Sequence, residues 1–441
     1  MTEEPAELFA VIGKPVLHSK SPQMHNAAIK ELGLHAHYIR LAADSPKEAL
    51  ETARLAGITG MSITAPFKNI IGYVDEVDPI AEKIKAVNTV VITPEKTIGY
   101  NTDAHGVAHS IIAKGVEIKG KKVVVLGAGG ASKAAIVAMI EHGAKVTVAN
   151  RTVEKAKELA QEFGISYSSL DPEELKKALE KCSIIIGCLS TGERVVPKDL
   201  LKPEMAIFDA YYSVESYLVK DGKEAGCKMI DAGDWLVYQG LVAFELFTGK
   251  KAPEKTMRDA VNSAQLSQGQ RNISLVGFMG SGKDTIAKEI SGKTEQVIFD
   301  IDREIENIAG KPIKEIFETD GEEEFRILES RVLSDIKNQK NIIVNCGGGV
   351  IMRKKNRKLL KENSLVVWLW ASPKTILERV PKDGSRPLLE VENPIRIIEK
   401  LLGTRKCQYA EVSDMMINTD GKSPKEISER IIYEINKTFK N

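Results

Sequence analysis

Gly277-Phe-Met-Gly280-Ser281-Gly282-Lys283-Asp284-Thr285 joins an apolar run at Ile273–Val276 to a helical pattern over residues 285–290. Strand, glycine-rich turn, Lys and helix together make a cradle for nucleotide phosphates. The glycines let backbone amides converge on phosphate oxygens, the helix N-terminus adds partial positive charge, and Lys283 reaches the outer phosphates. Loops of this kind follow the Lys with a Ser or Thr whose hydroxyl holds magnesium. Here Asp284 stands there, a carboxylate that can bind the ion but adds negative charge beside a triphosphate. Further on, Asp300 and Asp302 follow an apolar run, and a strand continuing through them would send both to one face. Phosphoryl transfer needs two such groups, a metal ligand and a base that orients the attacking hydroxyl. Arg326 and Glu329 lie one helical turn apart, a spacing that an ordinary surface ion pair would share. Cys346-Gly347-Gly348-Gly349 ends a strand over residues 341–345 and exposes backbone to a ligand. Gly384-Ser-Arg386 reads as a mobile lid, and Arg405 supplies a second planar fork suited to phosphate or carboxylate.

The first half of the chain carries different groups. Leu17-His-Ser19-Lys-Ser21-Pro-Gln-Met-His25 is a loop entering a helix, with Pro22 at its first turn. Ser19 and Ser21 could bond a carboxylate or hydroxyls there, and would serve equally well as plain N-caps. His18 and His25 are assigned no chemistry. A strand running through Ser62 and Thr64 into Pro66-Phe-Lys68 places an ammonium at a strand end. Ala86-Val-Asn88-Thr and Asn101-Thr-Asp103 then add amides, hydroxyls and one carboxylate. The set suits a polyhydroxylated substrate, and Lys68 with Asp103, if adjacent, form a proton-transfer pair beside a carbonyl.

The elements that must hold these groups are strands alternating with helices, hence an α/β protein with parallel sheets. A strand over residues 121–126 leads into Gly127-Ala-Gly129-Gly130-Ala131-Ser and an Ala-rich helix, the first turn of a Rossmann unit. The next strand, residues 145–149, ends in Asn150-Arg151-Thr152. A guanidinium and no carboxylate at that place favours NADP over NAD.

At 441 residues the chain is long enough for two to three domains, with 43% hydrophobic and 28% charged residues, as in ordinary soluble proteins. A net charge of +1 excludes a globally basic nucleic-acid binder, and 5% aromatics leave little for base stacking. Five cysteines without a Cys-x-x-Cys pair read as reduced core thiols of a cytosolic protein. No signal-like or membrane-spanning run is present, so a cytoplasmic setting with neither nucleic-acid nor membrane partners is expected.

Ser-x-Ser-Pro-x-x-His-Asn, Thr64-x-Pro-Phe-Lys68, Asn101-Thr-Asp103-x-x-Gly and Asn150-Arg-Thr together resemble shikimate dehydrogenase, from about Phe9 to Gly249. The resemblance implies that Ser19 and Ser21 bind the substrate carboxylate, that Lys68 and Asp103 are the catalytic dyad, and that Thr64, Asn88 and Asn101 meet ring hydroxyls. It also puts Tyr212 and Gln239 against substrate and Gly233 near the nicotinamide. Ser62 stands where Asn is usual, and Cys188-Leu-Ser-Thr191 replaces an Asn-Ala-Thr loop near the nicotinamide. From about Asn272 onward the chain resembles shikimate kinase. That resemblance implies that Asp300 assists magnesium, Asp302 orients the hydroxyl, Arg326, Gly348 and Arg405 hold substrate, and Arg386 closes over ATP.

The expectation is therefore a bifunctional shikimate-pathway enzyme using NADP(H), ATP and Mg2+, which turns 3-dehydroshikimate into shikimate and then shikimate 3-phosphate, as monomer or homodimer. Its expected parts are a substrate-binding domain (1–106), a Rossmann domain (107–237), a return segment (238–255), a partly helical linker (256–271) and a kinase domain with parallel sheet and lid (272–441). Two rivals remain: a quinate/shikimate dehydrogenase using NAD, with a non-catalytic, shikimate-binding kinase-like domain, and a metabolite sensor, against which the two acid–base pairs argue.

Overall fold

The computed structural model describes residues 6–211, 215–263, 272–380, 389 and 391–439. Two compact units emerge. One gathers Met1–Pro22, Ile29–Phe67 and Ala264–Asn441, and the other gathers Gln23–Ala28 and Lys68–Ser263.

In the first unit, eight described strands run parallel in the order Val297–Asp300, Ile342–Asn345, Ile273–Val276, Leu365–Trp370, Met415–Asn418, Ala36–Ala42, Glu7–Gly13, Ile58–Ile63. Parallel strands are covered by helices on both faces, so their sequences read as continuous apolar runs. Leu365–Trp370 is buried at all six positions and Ile273–Val276 at all four. The sheet draws on both ends of the chain. Met416 and Ile417 pair with Leu41 and Ala42, so the kinase-like strands continue into the strands that precede Lys68. No local sequence signal announces that pairing, because both partners are ordinary buried strands.

Helix Lys283–Thr294 starts at the phosphate-loop Lys, one residue after Gly282 at φ 90°. The strand expected to carry both carboxylates stops at Asp300. Asp302 sits in the following helix, Ile301–Ala309, for which Asp300 is the N-cap, accepting from the Arg303 amide at 3.1 Å. The same-face argument for the pair therefore fails, because a capping Asp ends the strand it was thought to continue.

The second unit contains a six-stranded parallel sheet ordered Lys228–Ile230, Ala206–Asp209, Ile184–Gly187, Lys122–Leu126, Lys145–Ala149, Ser166–Ser168. The order reverses between Ile184–Gly187 and Lys122–Leu126, the crevice where open α/β sheets bind ligands. The same unit holds an antiparallel hairpin of Thr89–Ile92 and Thr97–Tyr100. Helix Ala232–Thr248 is capped by Asp231 and ends at Gly249 with φ 63°, so it runs unbroken through the expected boundary at 237. A helix, Glu254–Ser263, fills the start of the expected linker.

Candidate active sites

In the second unit, Lys68 lies in the 3-10 turn Phe67–Tyr73 and Asp103 opens helix Asp103–Ala113. Their side chains meet, Lys68 Nζ donating to Asp103 Oδ2 at 2.5 Å. The helix dipole favours a carboxylate in that first turn. Asp103 is buried at 3% exposure, while the Lys68 side chain keeps 32%, so the ammonium is the member that can face a ligand. Two contacts fix the Asp: its carbonyl accepts from the Trp235 indole at 3.2 Å, and its amide donates to Asn101 Oδ1 at 3.0 Å. Gly106 explains the glycine three residues after Asp103. A Cβ there would lie 2.6 Å from Trp235 Cδ1, so only glycine lets helix Ala232–Thr248 approach.

Asn88 is held by the Thr102 amide, which donates to its Oδ1 at 2.8 Å. Its Nδ2 donates to Gln239 Oε1 and Thr102 Oγ1, both at 3.1 Å. Asn88, Gln239 and the Lys68–Asp103 pair thus form one connected polar cluster through Thr102 and Asn101. The Asn101 amide is committed to the Ala86 carbonyl at 2.9 Å. His25 belongs to the core: it is 1% exposed, 6.0 Å from the Phe244 ring, and burial pushes its pKa down to about 3. Tyr212 lies outside the described residues.

The dinucleotide turn divides its glycines by task. Gly127 has φ 113° and would set a Cβ 2.7 Å from the Cys188 carbonyl oxygen, so it is needed for packing. Gly129 and Gly130 meet nothing within 4 Å and lie at the start of helix Gly130–Glu141, open to a pyrophosphate beside Ala131. Asn150 Nδ2 donates to the Thr152 carbonyl at 2.9 Å, which shapes the bend, and Arg151 is exposed at its tip. Gly233 donates its amide to the capping Asp231 at 2.7 Å. Burial pushes the Cys188 thiol up to about 12, so it behaves as an apolar wall.

In the first unit, Ser19 Oγ and Ser21 Oγ stand 3.3 Å apart, a spacing that lets two hydroxyls grip one carboxylate. Thr64 packs its methyl where a Cβ on Gly13 would come within 2.4 Å. His18 is exposed.

The triple glycine centres the kinase-like site in the same unit. A Cβ on Gly347 would lie 2.9 Å from Asp302 Oδ1, and one on Gly349 would lie 2.5 Å from both Arg326 terminal nitrogens. One on Gly348 would face the Met279 amide at 3.6 Å and the Gly277 oxygen at 3.7 Å in the phosphate loop. The turn thus brings Asp302, Arg326 and the loop together, and the Gly348 carbonyl accepts from the Tyr409 hydroxyl at 2.8 Å. Arg405, one turn before Tyr409, lies 5.5 Å over the Phe278 ring. Lys283 Nζ rests on the Gly277 and Phe278 carbonyls at 3.0 and 3.1 Å, and Ser281 is buried beneath the loop. Gly280 takes φ 76° at the loop's tip, and Thr285 is exposed just behind it. Arg386 lies outside the described residues.

Three groups here were missed or undervalued in the sequence. Asn345, the last residue of its strand, donates from Nδ2 to Asp284 Oδ1 at 2.8 Å and to Asp300 Oδ2 at 2.7 Å, bringing both carboxylates to one amide. A polar residue closing an apolar strand just before three glycines was the available signal. Glu329 is fully buried, and Arg326 Nη1 lies 3.2 Å from each of its oxygens, so the pair is no surface decoration. Burial raises the Glu329 pKa to about 7 despite Arg326. Tyr409 carried no motif at all. Mg2+ is held through one or two carboxylates plus substrate phosphates, and Asp284 and Asp300 on a shared Asn fit that demand. Among the described residues no group of three or more His, Cys, Asp or Glu could hold a metal. The five cysteines are free.

Family models match in sequence: the shikimate dehydrogenase substrate binding domain at residues 11–90, shikimate/quinate 5-dehydrogenase at 107–209, the shikimate 5'-dehydrogenase C-terminal domain at 236–261 and shikimate kinase at 279–436. The shikimate dehydrogenase (NADP(+)) of Natronomonas pharaonis is 41% identical over 266 residues, spanning 58% of this chain and 99% of that protein. The crystal structure of shikimate dehydrogenase from Aquifex aeolicus matches at TM-score 0.55 and 37% identity, over 60% of this chain and all of that one. That of the Thermus thermophilus enzyme, in complex with NADP(H) and shikimate, matches at 0.54 and 34%, over 58% of this chain and 99% of that one. Its N-terminal part thus places the chain in the shikimate dehydrogenase family, and its C-terminal part is a shikimate kinase domain.

Proposed function

We propose that this chain reduces 3-dehydroshikimate to shikimate with NADPH and then phosphorylates shikimate to shikimate 3-phosphate with ATP. The observation that carries the reading is the Lys68 ammonium 2.5 Å from buried Asp103, in a chain that also holds the phosphate loop and its triple-glycine partner. NADPH supplies the hydride and ATP the phosphoryl group. Lys68 donates a proton to the ketone oxygen as it gains negative charge, and Asp103 holds the side chain of Lys68 in place. Ser19 and Ser21 take the substrate carboxylate, Thr64, Asn88 and Asn101 meet ring hydroxyls, and Tyr212 and Gln239 also contact the substrate. Gly129, Gly130 and Ala131 receive the pyrophosphate, and Arg151, with Asn150 and Thr152, the 2′-phosphate that favours NADP(H).

In the kinase part, Asp302 accepts the proton of the attacking hydroxyl, and Arg326, Gly348 and Arg405 hold the carboxylate and ring. Gly280, Ser281, Gly282, Lys283 and Thr285 cradle the phosphates, with Arg386 closing over them. Asp284 and Asp300 hold Mg2+, which offsets phosphate charge. The parts are residues 1–106, 107–237, 238–255, 256–271 and 272–441 as laid out above. A cytoplasmic monomer or homodimer acting on small molecules alone completes the reading. No helix among the described residues is long and apolar enough to cross a membrane.

A coupled assay tests it. Purified protein given 3-dehydroshikimate and NADPH should lose absorbance at the nicotinamide band, and ADP should appear only when shikimate has formed and Mg2+ is present. No NADPH oxidation with the keto acid would overturn the first half, and no ADP with shikimate at any Mg2+ concentration the second.

A further inference from the structure

The loop that carries Ser19 is braced by the far end of the chain. Glu434 lies on the C-terminal helix Pro424–Thr438 and has no exposed surface. Its Oε2 accepts from the Val16 and Leu17 amides at 2.8 and 2.9 Å. Its Oε1 lies 2.7 Å from Arg430 Nη2, which in turn donates to the Gly13 carbonyl at 3.0 Å. Arg430 is 4% exposed. The other end of the loop is fixed by Arg40, itself 4% exposed. Its Nε and Nη2 donate to the Ser19 carbonyl at 3.1 and 2.6 Å, and its Nη1 donates to the carbonyl of Asp414, a kinase-domain residue, at 3.0 Å. Residues 13, 16, 17 and 19 are thus all fixed directly or through one side chain by residues 414–434. Within the loop itself, a turn bond runs from the Ser19 amide to the Val16 carbonyl at 3.0 Å.

A carboxylate with no surface of its own would be expensive to bury for packing alone. Here it turns two consecutive amides inward and so sets the direction in which the chain reaches Ser19 and Ser21, whose hydroxyls stand 3.3 Å apart. We propose that Glu434 of the kinase domain is a positioning residue for the dehydrogenase. By holding the Val16 and Leu17 amides, it presets the two serines for the substrate carboxylate, so the kinase domain is part of the reductase's substrate site. This rests on the assignment of Ser19 and Ser21 as carboxylate ligands.

The test uses the full chain with Glu434→Ala and Glu434→Gln. In Glu434→Ala the two amides lose their acceptor, and the KM for 3-dehydroshikimate rises about tenfold, as expected for a lost hydrogen bond to a charged group. The KM for NADPH and the turnover of shikimate with ATP in the same sample stay within about twofold, which a general loss of folding would not allow. Glu434→Gln keeps an oxygen for the amides and returns most of the affinity for the keto acid. If Glu434→Ala gives no soluble protein, Glu434→Asp, whose shorter side chain no longer reaches the two amides, decides in its place: a raised keto-acid KM supports the proposal, and the wild-type value overturns it. An unchanged KM in both variants, or a loss shared equally by both activities, also overturns it. A wild-type protein that oxidises no NADPH would instead refute the function from which the proposal starts.

Discussion

Glu329 offers the sharpest quantitative test of the kinase site. Its carboxylate is buried, accepts from Arg326 through both oxygens at 3.2 Å and has Asn356 Nδ2 at 3.4 Å. Those donors favour the charged form, yet burial outweighs them and the pKa rises from 4.5 to about 7, with the Asp302 charge adding to the rise. The folded protein therefore holds this proton more tightly than the unfolded chain does. The resulting stabilisation is complete below pH 4.5 and is lost as pH climbs through about 7. At about 1.4 kcal/mol for each tenfold change in proton affinity, the loss comes to about 3 kcal/mol. Glu329→Gln removes the titration and keeps the shape. Urea unfolding of both proteins at about pH 4 and pH 8.5 is the assay, because these values bracket the window in which the group titrates. Intrinsic fluorescence reports well here, since Trp368 and Trp370 lie in the strand Leu365–Trp370. From the lower pH to the higher, Glu329→Gln should gain about 3 kcal/mol on the wild type, whatever constant offset the substitution brings. A gap that does not move, or that moves in favour of the wild type, would mean that Arg326 outweighs burial and would refute the reasoning.

Lys68→Met should slow reduction of the keto acid by about 10²- to 10⁴-fold, as expected for a lost general acid, while phosphorylation of added shikimate by the same sample continues. Arg151→Ala should raise the KM for NADPH by roughly tenfold and leave that for NADH nearly alone, measured side by side, since only the 2′-phosphate loses its partner. Asp284→Thr should raise the Mg2+ concentration for half-maximal kinase rate about thirtyfold. That factor follows from the ~2 kcal/mol that a carboxylate exerts on a doubly charged ion at about 4 Å in water-like surroundings, and Asp284 is exposed. A Mg2+ titration at fixed ATP reads it.

Much of both sites could be read from residue order because their chemistry depends on local turns. Gly277 through Asp284, Asn150-Arg-Thr and Gly127 through Ala131 each lie at a strand-to-helix junction, where glycine and a cap announce themselves. Lys68 and Asp103 are 35 residues apart, and each was marked by its own motif. Asp302 was placed on the wrong element because the capping role of Asp300 looks, in sequence, like one more strand residue. Glu329 was undervalued because i,i+3 spacing says nothing about burial. Asn345, Trp235 and Glu434 act through contacts that span 61, 132 and 418 residues, and nothing beside them in the chain records their partners.

The pairing of Met416 and Ile417 with Leu41 and Ala42 bears on attempts to take this polypeptide apart. Severed within residues 264–271, each fragment would carry a row of main-chain donors and acceptors with nothing opposite, the kind of open border that recruits stray chains and precipitates. Coexpressed fragments have a remedy that lone ones lack, since each border is the other's complement. Joined in one chain the two borders stay covered by each other, and a homodimer would have to assemble through some other surface.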